Sequence, residues 1–384
     1  MQYRRLGKTG LKVSALGFGC MRLPKLDGAA DRIDEEAATG LIHRAIDAGV
    51  NYIDTAWFYH AAGQGQAGQS EPFVGRALAG TWRDRVHLAT KLPQQIARSK
   101  ADMEGFLPKQ LERLATDRID LYLVHGLDGT SWDKMKALGI REHLESAKSR
   151  GLIGHIGFSF HGSAADFLRI VDEYPGWEFC QIQYNYLDIK NQAGRSGLRY
   201  AAEKGLGVIV MEPLRGGRLA GGLPPQMKAI FDGRSEGWSP AEWALRFVWD
   251  EPGVSLLLSG MGEASQLEEN LRVAESALPG TLGPEHASVY EAAEAVLQKL
   301  RKADCTACRY CLPCPFGVEI PECLAALNAS VVWKTANPWT TGYTPIKGKA
   351  DLCTQCGACE DLCPQKLPIR DLLAETVQVF KPKG

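Results

Sequence analysis

Nine of the 11 cysteines fall between Cys305 and Cys363, and only Cys20 and Cys180 precede them. One run, CTACRYCLPCP, places Cys305, Cys308, Cys311 and Cys314 at three-residue intervals. A second, CTQCGACEDLCP, supplies Cys353, Cys356, Cys359 and Cys363, followed by Pro364. In a reducing compartment such clustering argues for metal ligation rather than disulfides, and two runs imply two sites. Zinc is one occupant, because paired Cys-x-x-Cys units also make ribbons and knuckles. A tetrahedral zinc needs two separated pairs, however, and here three or four thiols follow one another directly.

The spacing Cys-x-x-Cys-x-x-Cys-x-x-x-Cys-Pro of the second run resembles the ligand run of bacterial dicluster ferredoxins, in which three close thiolates hold one iron-sulfur cluster and the fourth ligates the other. That resemblance implies two 4Fe-4S clusters, one on Cys305, Cys308, Cys311 and Cys363, the other on Cys353, Cys356, Cys359 and Cys314. The first run departs from the pattern, since two residues instead of three separate Cys311 from Cys314. Cys323, in IPECLAAL, is the reserve ligand; in such a helical start a cysteine is more often a buried thiol than a ligand.

A second set of reactive residues is spread over the first 280 positions. Asp54 closes NYID, Lys91 closes VHLATK, His125 closes IDLYLVH, and Tyr59 follows Asp54 by five residues. Each alone has a plain explanation: a helix cap, a snorkelling rim charge, a core histidine, a loop aromatic. Together they are the groups needed to protonate a carbonyl oxygen during hydride addition. The elements that must position them are eight short apolar runs: SALGFG, NYID, VHLATK, IDLYLVH, IGHIGFS, CQIQYN, GVIVME and VSLLLSG. Segments such as EEAATGLIHRAIDAG, with apolar residues at intervals of three and four, separate them as helices would. Strand and helix alternating eight times predict an α/β fold, a (β/α)8 TIM barrel, with chemistry at the C-terminal strand ends. A doubly wound sheet is the competitor, but no GxGxxG follows a strand.

The stretches NYIDTAWFY, LATK and YLVHG, with QIQYN, PLRGGRL and QLEENL further on, resemble the aldo-keto reductase superfamily over about residues 1–280. With the cysteine runs, the chain is similar to the subgroup fused to a dicluster ferredoxin domain. The resemblance implies a barrel over 1–283, a connecting helix over 284–303 and a small, mainly helical ferredoxin-like iron-sulfur domain over 304–384. It implies an NAD(P)H-dependent carbonyl reductase or alcohol dehydrogenase acting through Asp54, Tyr59, Lys91 and His125. Lys91, paired with Asp54, would lower the Tyr59 pKa; Tyr59 would donate the proton, and His125 would orient the carbonyl or help relay that proton.

Cofactor contacts follow from the same likeness: Ser159 and Gln181 on the carboxamide, Met211 against the ring, and Gly19 and Met21 after the first strand. Pro213, Leu214, Arg215, Gly217 and Arg218 would follow strand seven as a pyrophosphate clamp. Ser259, Gly260, Gln266, Glu269 and Asn270 would supply the corner after strand eight, where helix N-terminal amides face an anion. Relatives that prefer NADPH carry basic side chains where Gly260 and Gln266 stand, so NADH is a serious candidate.

The loop HAAGQGQAGQS, 60–70, reads either as a substrate lid or as a linker, with Trp57 and Phe58 bordering the pocket. Gln64, Gln66 and Gln69 hint at a polar substrate, a hydroxylated one among the options. Val289, Ala293, Val296 and Leu300 form one apolar helix face expected to pack on the barrel. A net charge of -1 and 45% hydrophobic content give no bias toward nucleic acid or anionic membrane, and no run approaches a membrane span. A cytoplasmic protein is expected, acting on a small carbonyl or alcohol. The clusters are expected to be structural, to serve an electron-carrier partner, or to belong to a nicotinamide-binding redox sensor.

Overall fold

The computed structural model describes residues 1–63 and 65–381. An antiparallel hairpin of β1 (Tyr3–Arg5) and β2 (Lys12–Ser14) leads into eight parallel strands. These are β3 (Leu16–Gly19), β4 (Tyr52–Asp54), β5 (His87–Leu92), β6 (Ile119–Leu127), β7 (Ile153–Phe160), β8 (Phe179–Gln183), β9 (Gly207–Met211) and β10 (Val254–Ser259). They pair in chain order, and β10 pairs back to β3 to close the barrel. All eight apolar runs are strands. With both faces covered they can be apolar almost throughout, which is why they read as runs and not as alternations.

Side chains fill the barrel. Tyr52, Ala89, Leu121, Leu123, Phe179, Ile209 and Leu256 form the interior layer, and Leu6 and Val13 of the hairpin region join the same cluster. Helices α1 (Glu35–Asp47), α2 (Ser70–Ala77), α3 (Lys100–Arg113), α4 (Gly129–Ala137), α5 (Ile140–Ser149), α6 (Ala164–Glu173) and α7 (Gly194–Glu203) follow successive strands. In α1, Asp34 accepts from the Ala37 N–H as a cap, and Ala38, Leu41, Ile42, Ala45 and Ile46 make the buried stripe. Burying each such leucine or isoleucine contributes about 1.5–3 kcal/mol.

Two compact units divide the chain: residues 1–219 with 240–283, and residues 220–239 with 284 onward. Helix α8 (Pro225–Asp232), inside the β9–β10 connection, belongs to the second unit, whereas α9 (Pro240–Asp250) and α10 (Ala264–Ser276) complete the barrel. The second unit adds α11 (Pro284–Leu300), α12 (Ile320–Val332), α13 (Ala358–Leu362) and α14 (Ile369–Phe380). Helix α11 buries Val289, Tyr290, Ala293 and Leu297, leaving Val296 and Leu300 half-buried, and it packs on α8. Helices α12 and α14 pack together through Ile320, Leu324, Leu327, Ile369, Leu372 and Leu373. Among the described residues no helix is long and apolar enough to cross a membrane.

Candidate functional site

Asp54 is the last residue of β4 and Lys91 the fifth of β5, so the barrel register brings both to its C-terminal end. Lys91 Nζ lies 2.7 Å from each Asp54 carboxylate oxygen, 2.9 Å from the Thr55 carbonyl oxygen and 3.1 Å from Tyr59 Oη. The ammonium and the carboxylate are both buried. Burial works against the Lys91 charge, but Asp54 and then Tyr59 more than offset it, and its pKa ends raised. Burial also pushes Asp54 upward, with Lys91 pulling it back.

The Tyr59 phenol differs from expectation. Burial pushes its pKa above the usual value, and the downward pull of Lys91 is the smaller effect. In this site Lys91 limits the rise instead of producing a net fall. His125 stands edge-on to Tyr59, ring centroids 6.2 Å apart, with Phe58 on another side at 5.9 Å. Burial, reinforced by Lys91, holds it neutral with a pKa down at about 3, and its Nδ1 has no hydrogen-bond partner. The arrangement can deliver a proton from a phenol to an oxygen seated between Tyr59 and a neutral imidazole.

The 60–70 loop returns to its start. The Gly68 N–H donates to Trp57 O at 2.7 Å, the Gln69 N–H to His60 O at 2.9 Å and the Ser70 N–H to Tyr59 O at 3.2 Å. A Cβ on Gly68 would lie 1.9 Å from Tyr59 O, so only glycine allows the closure. Gln66 and Gln69 are exposed, and Gln64 lies outside the described residues. His60 is fixed at both ring nitrogens: Leu23 N–H donates to Nε2 at 3.3 Å, and Nδ1 is 3.0 Å from Ala30 O.

The residues expected to hold the nicotinamide sit at the same end of the barrel. Ser159 Oγ accepts the Gly126 N–H at 2.7 Å, which leaves its own proton to donate. Gln181 is buried with Oε1 unpartnered, and its amide nitrogen is 3.6 Å from Met211 Sδ. A primary amide would satisfy that orphaned oxygen, so these residues fit a carboxamide. Pro213 to Arg218 form consecutive turns containing Gly217, and Arg215 is 3.7 Å from Asp188. Past β10, Asn270 donates to Ser259 Oγ at 2.9 Å, and Gln266 Oε1 accepts the Gly262 N–H at 2.9 Å. Glu269 lies on α10 between these two, Gly19 ends β3, and Met21 is exposed.

Sequence reasoning missed Arg22. Its side chain lies over Gly260, where an added Cβ would meet Arg22 Cβ at 3.1 Å, and its guanidinium is 3.0 Å from the corresponding point on Gly216. Arg22 therefore spans both glycine-bearing corners nominated for the pyrophosphate. The only available signal was its place just after β3.

In the second unit the cysteines surround two hollows. Cys305, Cys308, Cys311 and Cys363 line one; Cys314, Cys353, Cys356 and Cys359 line the other, with Cys311 at its edge. Their loops repeat a conformation: Ala307 and Gln355 both have positive φ, and each donates its N–H to the cysteine two residues earlier at 3.4 Å. Arg309 and Gly357, next after the second cysteine of each run, also have positive φ. Among the described residues no three His, Cys, Asp or Glu side chains meet at single-ion spacing. Sulfurs ringing a hollow, with N–H groups aimed at them, suit a bulky cluster better than one ion. Cys323 lines neither hollow; it is buried on α12 with its thiol 3.6 Å from Gly348 O.

A closed parallel barrel with a lysine, aspartate, tyrosine and histidine at its C-terminal mouth defines a class of oxidoreductase. Residues 15–281 match the Aldo/keto reductase family, and the chain belongs to that family. Residues 304–368 match the 4Fe-4S dicluster domain. The chain is 28% identical to the L-galactose dehydrogenase of Arabidopsis thaliana, over 71% of this chain and 87% of that protein. It is 28% identical to the 6-dehydroglucose reductase of Novosphingobium aromaticivorans, over 70% of this chain and 88% of that one. Among solved structures, the holo form of an aldo-keto reductase from Bacillus halodurans superposes with a TM-score of 0.61 at 28% identity, over 76% of this chain and 96% of its own.

Proposed function

We propose that the chain is an NAD(P)H-dependent reductase of hydroxylated carbonyl compounds, working in reverse as an alcohol dehydrogenase, with two 4Fe-4S clusters in the appended domain. The observation that carries this reading is the Lys91 ammonium bridging Asp54 to Tyr59 Oη at 3.1 Å. Bound nicotinamide would supply a hydride to the carbonyl carbon. Tyr59 gives its proton to the carbonyl oxygen as that charge develops, and Lys91 stabilises the phenolate left behind. Neutral His125 orients the same oxygen by hydrogen bonding. In oxidation the phenolate takes the alcohol proton back.

Sugars or polyols are the substrate class supported by the two relatives named for sugar substrates. Beside His125 the site carries amides: Gln95 donates to His125 O at 3.2 Å and Gln94 to Gly126 O at 3.4 Å. Glycine at 260 and glutamine at 266 supply no basic side chain of their own, which favours NADH, and Arg22 over Gly260 is read as a pyrophosphate contact. The test is anaerobic nucleotide oxidation against aldoses, keto-sugars and apolar aldehydes. A kcat/KM at least tenfold higher on hydroxylated substrates is expected; no oxidation with any carbonyl removes the enzymatic reading.

A second role, electron transfer to a one-electron carrier, is favoured by one observation: Cys308 and Cys356 are exposed, one at each hollow. The four-iron clusters would supply one-electron chemistry there. Adding NADH, then NADPH, to cluster-replete protein while following electron paramagnetic resonance separates the roles. Reduced clusters would support conduction. Unreduced clusters alongside carbonyl turnover would support a structural role.

A further inference from the structure

Directly beneath the candidate site lies a buried carboxylate that the reaction does not use. Glu71, in the first turn of α2, is fully buried. Its Oε1 accepts from Thr90 Oγ1 and from Gln110 Nε2, each at 2.7 Å, and its Oε2 accepts from Arg113 Nε at 2.8 Å. Gln110 Nε2 also donates to the carbonyl oxygen of Lys91 at 3.0 Å, while Tyr122 Oη donates to Gln110 Oε1 at 2.7 Å. Arg113 continues to Gly68 O and lies over the Trp57 ring, 5.0 Å from its centroid.

Topology explains why such a brace is needed. Strand β4 ends at Asp54, paired with Ala89, so Lys91 stands two residues past the ladder on that side. The Tyr59 loop has no strand of its own: its backbone is tied back at Gly68, Gln69 and Ser70, and the His60 ring anchors it to Leu23 and Ala30. Glu71 reaches both partners: the Lys91 strand through Thr90 and Gln110, the Tyr59 loop through Arg113 and Gly68. A buried charge is costly, and well-packed apolar residues would fasten two elements as firmly. What the polar set adds is direction, because each hydrogen bond fixes an angle as well as a distance.

We propose that Glu71 and Gln110 are positioning residues that set the separation of Lys91 from Tyr59. This rests on the proton-transfer role given to Tyr59 above. Misplacing a reacting group by about 1 Å costs about a hundredfold in rate. Weakening the brace therefore lowers kcat without altering nucleotide affinity, and it moves the Tyr59 titration upward as Lys91 draws away.

The test uses the full chain labelled with 13C at tyrosine Cζ, Tyr59 being assigned by its loss in Tyr59→Phe. Gln110→Met removes both donors at similar volume; Tyr122→Phe removes only one contact and serves if the first variant does not fold. We expect a raised Tyr59 midpoint, a kcat lowered about tenfold to a hundredfold, and NADH affinity within about twofold of the parent. A Tyr59 midpoint and hydride-transfer rate unchanged in the folded variant would overturn the proposal. If the parent protein oxidises NADH with no carbonyl, the proposed function fails, while the Tyr59 midpoint still decides the positioning.

Discussion

Tyr59 Oη is the fourth oxygen within 3.1 Å of Lys91 Nζ, which has only three protons to give. One of them reaches the phenol oxygen if the two carboxylate contacts share another. The phenol then accepts from Lys91 and keeps its own proton free for the pocket, the orientation a general acid needs.

Replacing Tyr59 by Phe removes that proton and little volume. Carbonyl reduction should fall about 100- to 10,000-fold, with NADH affinity retained. Stopped-flow rates and fluorescence titration check both halves; full turnover in the variant would take Tyr59 out of the acid role.

Lys91→Met leaves Asp54 buried without its ammonium. We expect a loss of about 3–5 kcal/mol in denaturant unfolding, as for other broken buried pairs, partly restored when Asp54→Asn is added. Equal stability of the single variant and the parent would mean that water or Thr55 replaces the ion pair.

Nucleotide choice is expected to turn on α10. The parent should use NADH at least as well as NADPH by kcat/KM, and Gln266→Arg should improve NADPH use about tenfold by offering a 2'-phosphate a charged partner. Arg22→Ala should weaken both nucleotides alike, because its guanidinium sits where the shared pyrophosphate would lie.

Burial lowers the pKa values of His60, His87, His125, His143 and His161 in the folded chain. Below the unfolded value of about 6.5, the unfolded chain binds protons that the native one refuses, so stability falls as pH drops. Each such proton contributes at most about 1.4 kcal/mol per pH unit. Melting temperatures should hold from pH 7.5 to about 6.5 and then decline towards pH 5; a profile flat throughout would show that these imidazoles titrate freely.

Cys314 and Cys323 should behave differently when each is changed to Ser. Cys314→Ser, at the second hollow, should cost up to roughly half of the bound iron and alter the cluster spectrum. Cys323→Ser should leave both intact. The reverse result would move the eighth ligand onto α12.

The barrel was legible because each of its strands is an apolar run between amphipathic segments. Asp54, Lys91 and His125 stood out because ionisable residues closing such runs conflict with a purely structural reading. The same logic hid Glu71: a glutamate in the first turn of a helix reads as a solvated favourable charge, and only tertiary packing shows it fully buried. Gln110 and Arg113, on the amphipathic α3, carry nothing in their spacing that distinguishes a buried polar contact from a solvated one. The direction of the Tyr59 shift was likewise beyond the sequence, since it depends on how completely water is excluded around one loop. Periodicity found α11 but assigned its apolar face to the barrel, whereas that helix packs on α8 of its own unit, because a helix face does not encode which distant segment covers it.

That partnership has a consequence for synthesis. Helix α8 is translated about fifty residues before α11, with the last strand of the barrel and two further helices made in between. Its apolar Met227 and Phe231, buried in the finished fold, must wait on a nascent chain until the ribosome has delivered α11. Truncation ahead of α11 would therefore leave the apolar face of α8 without its partner helix, a ready target for chaperones and proteases.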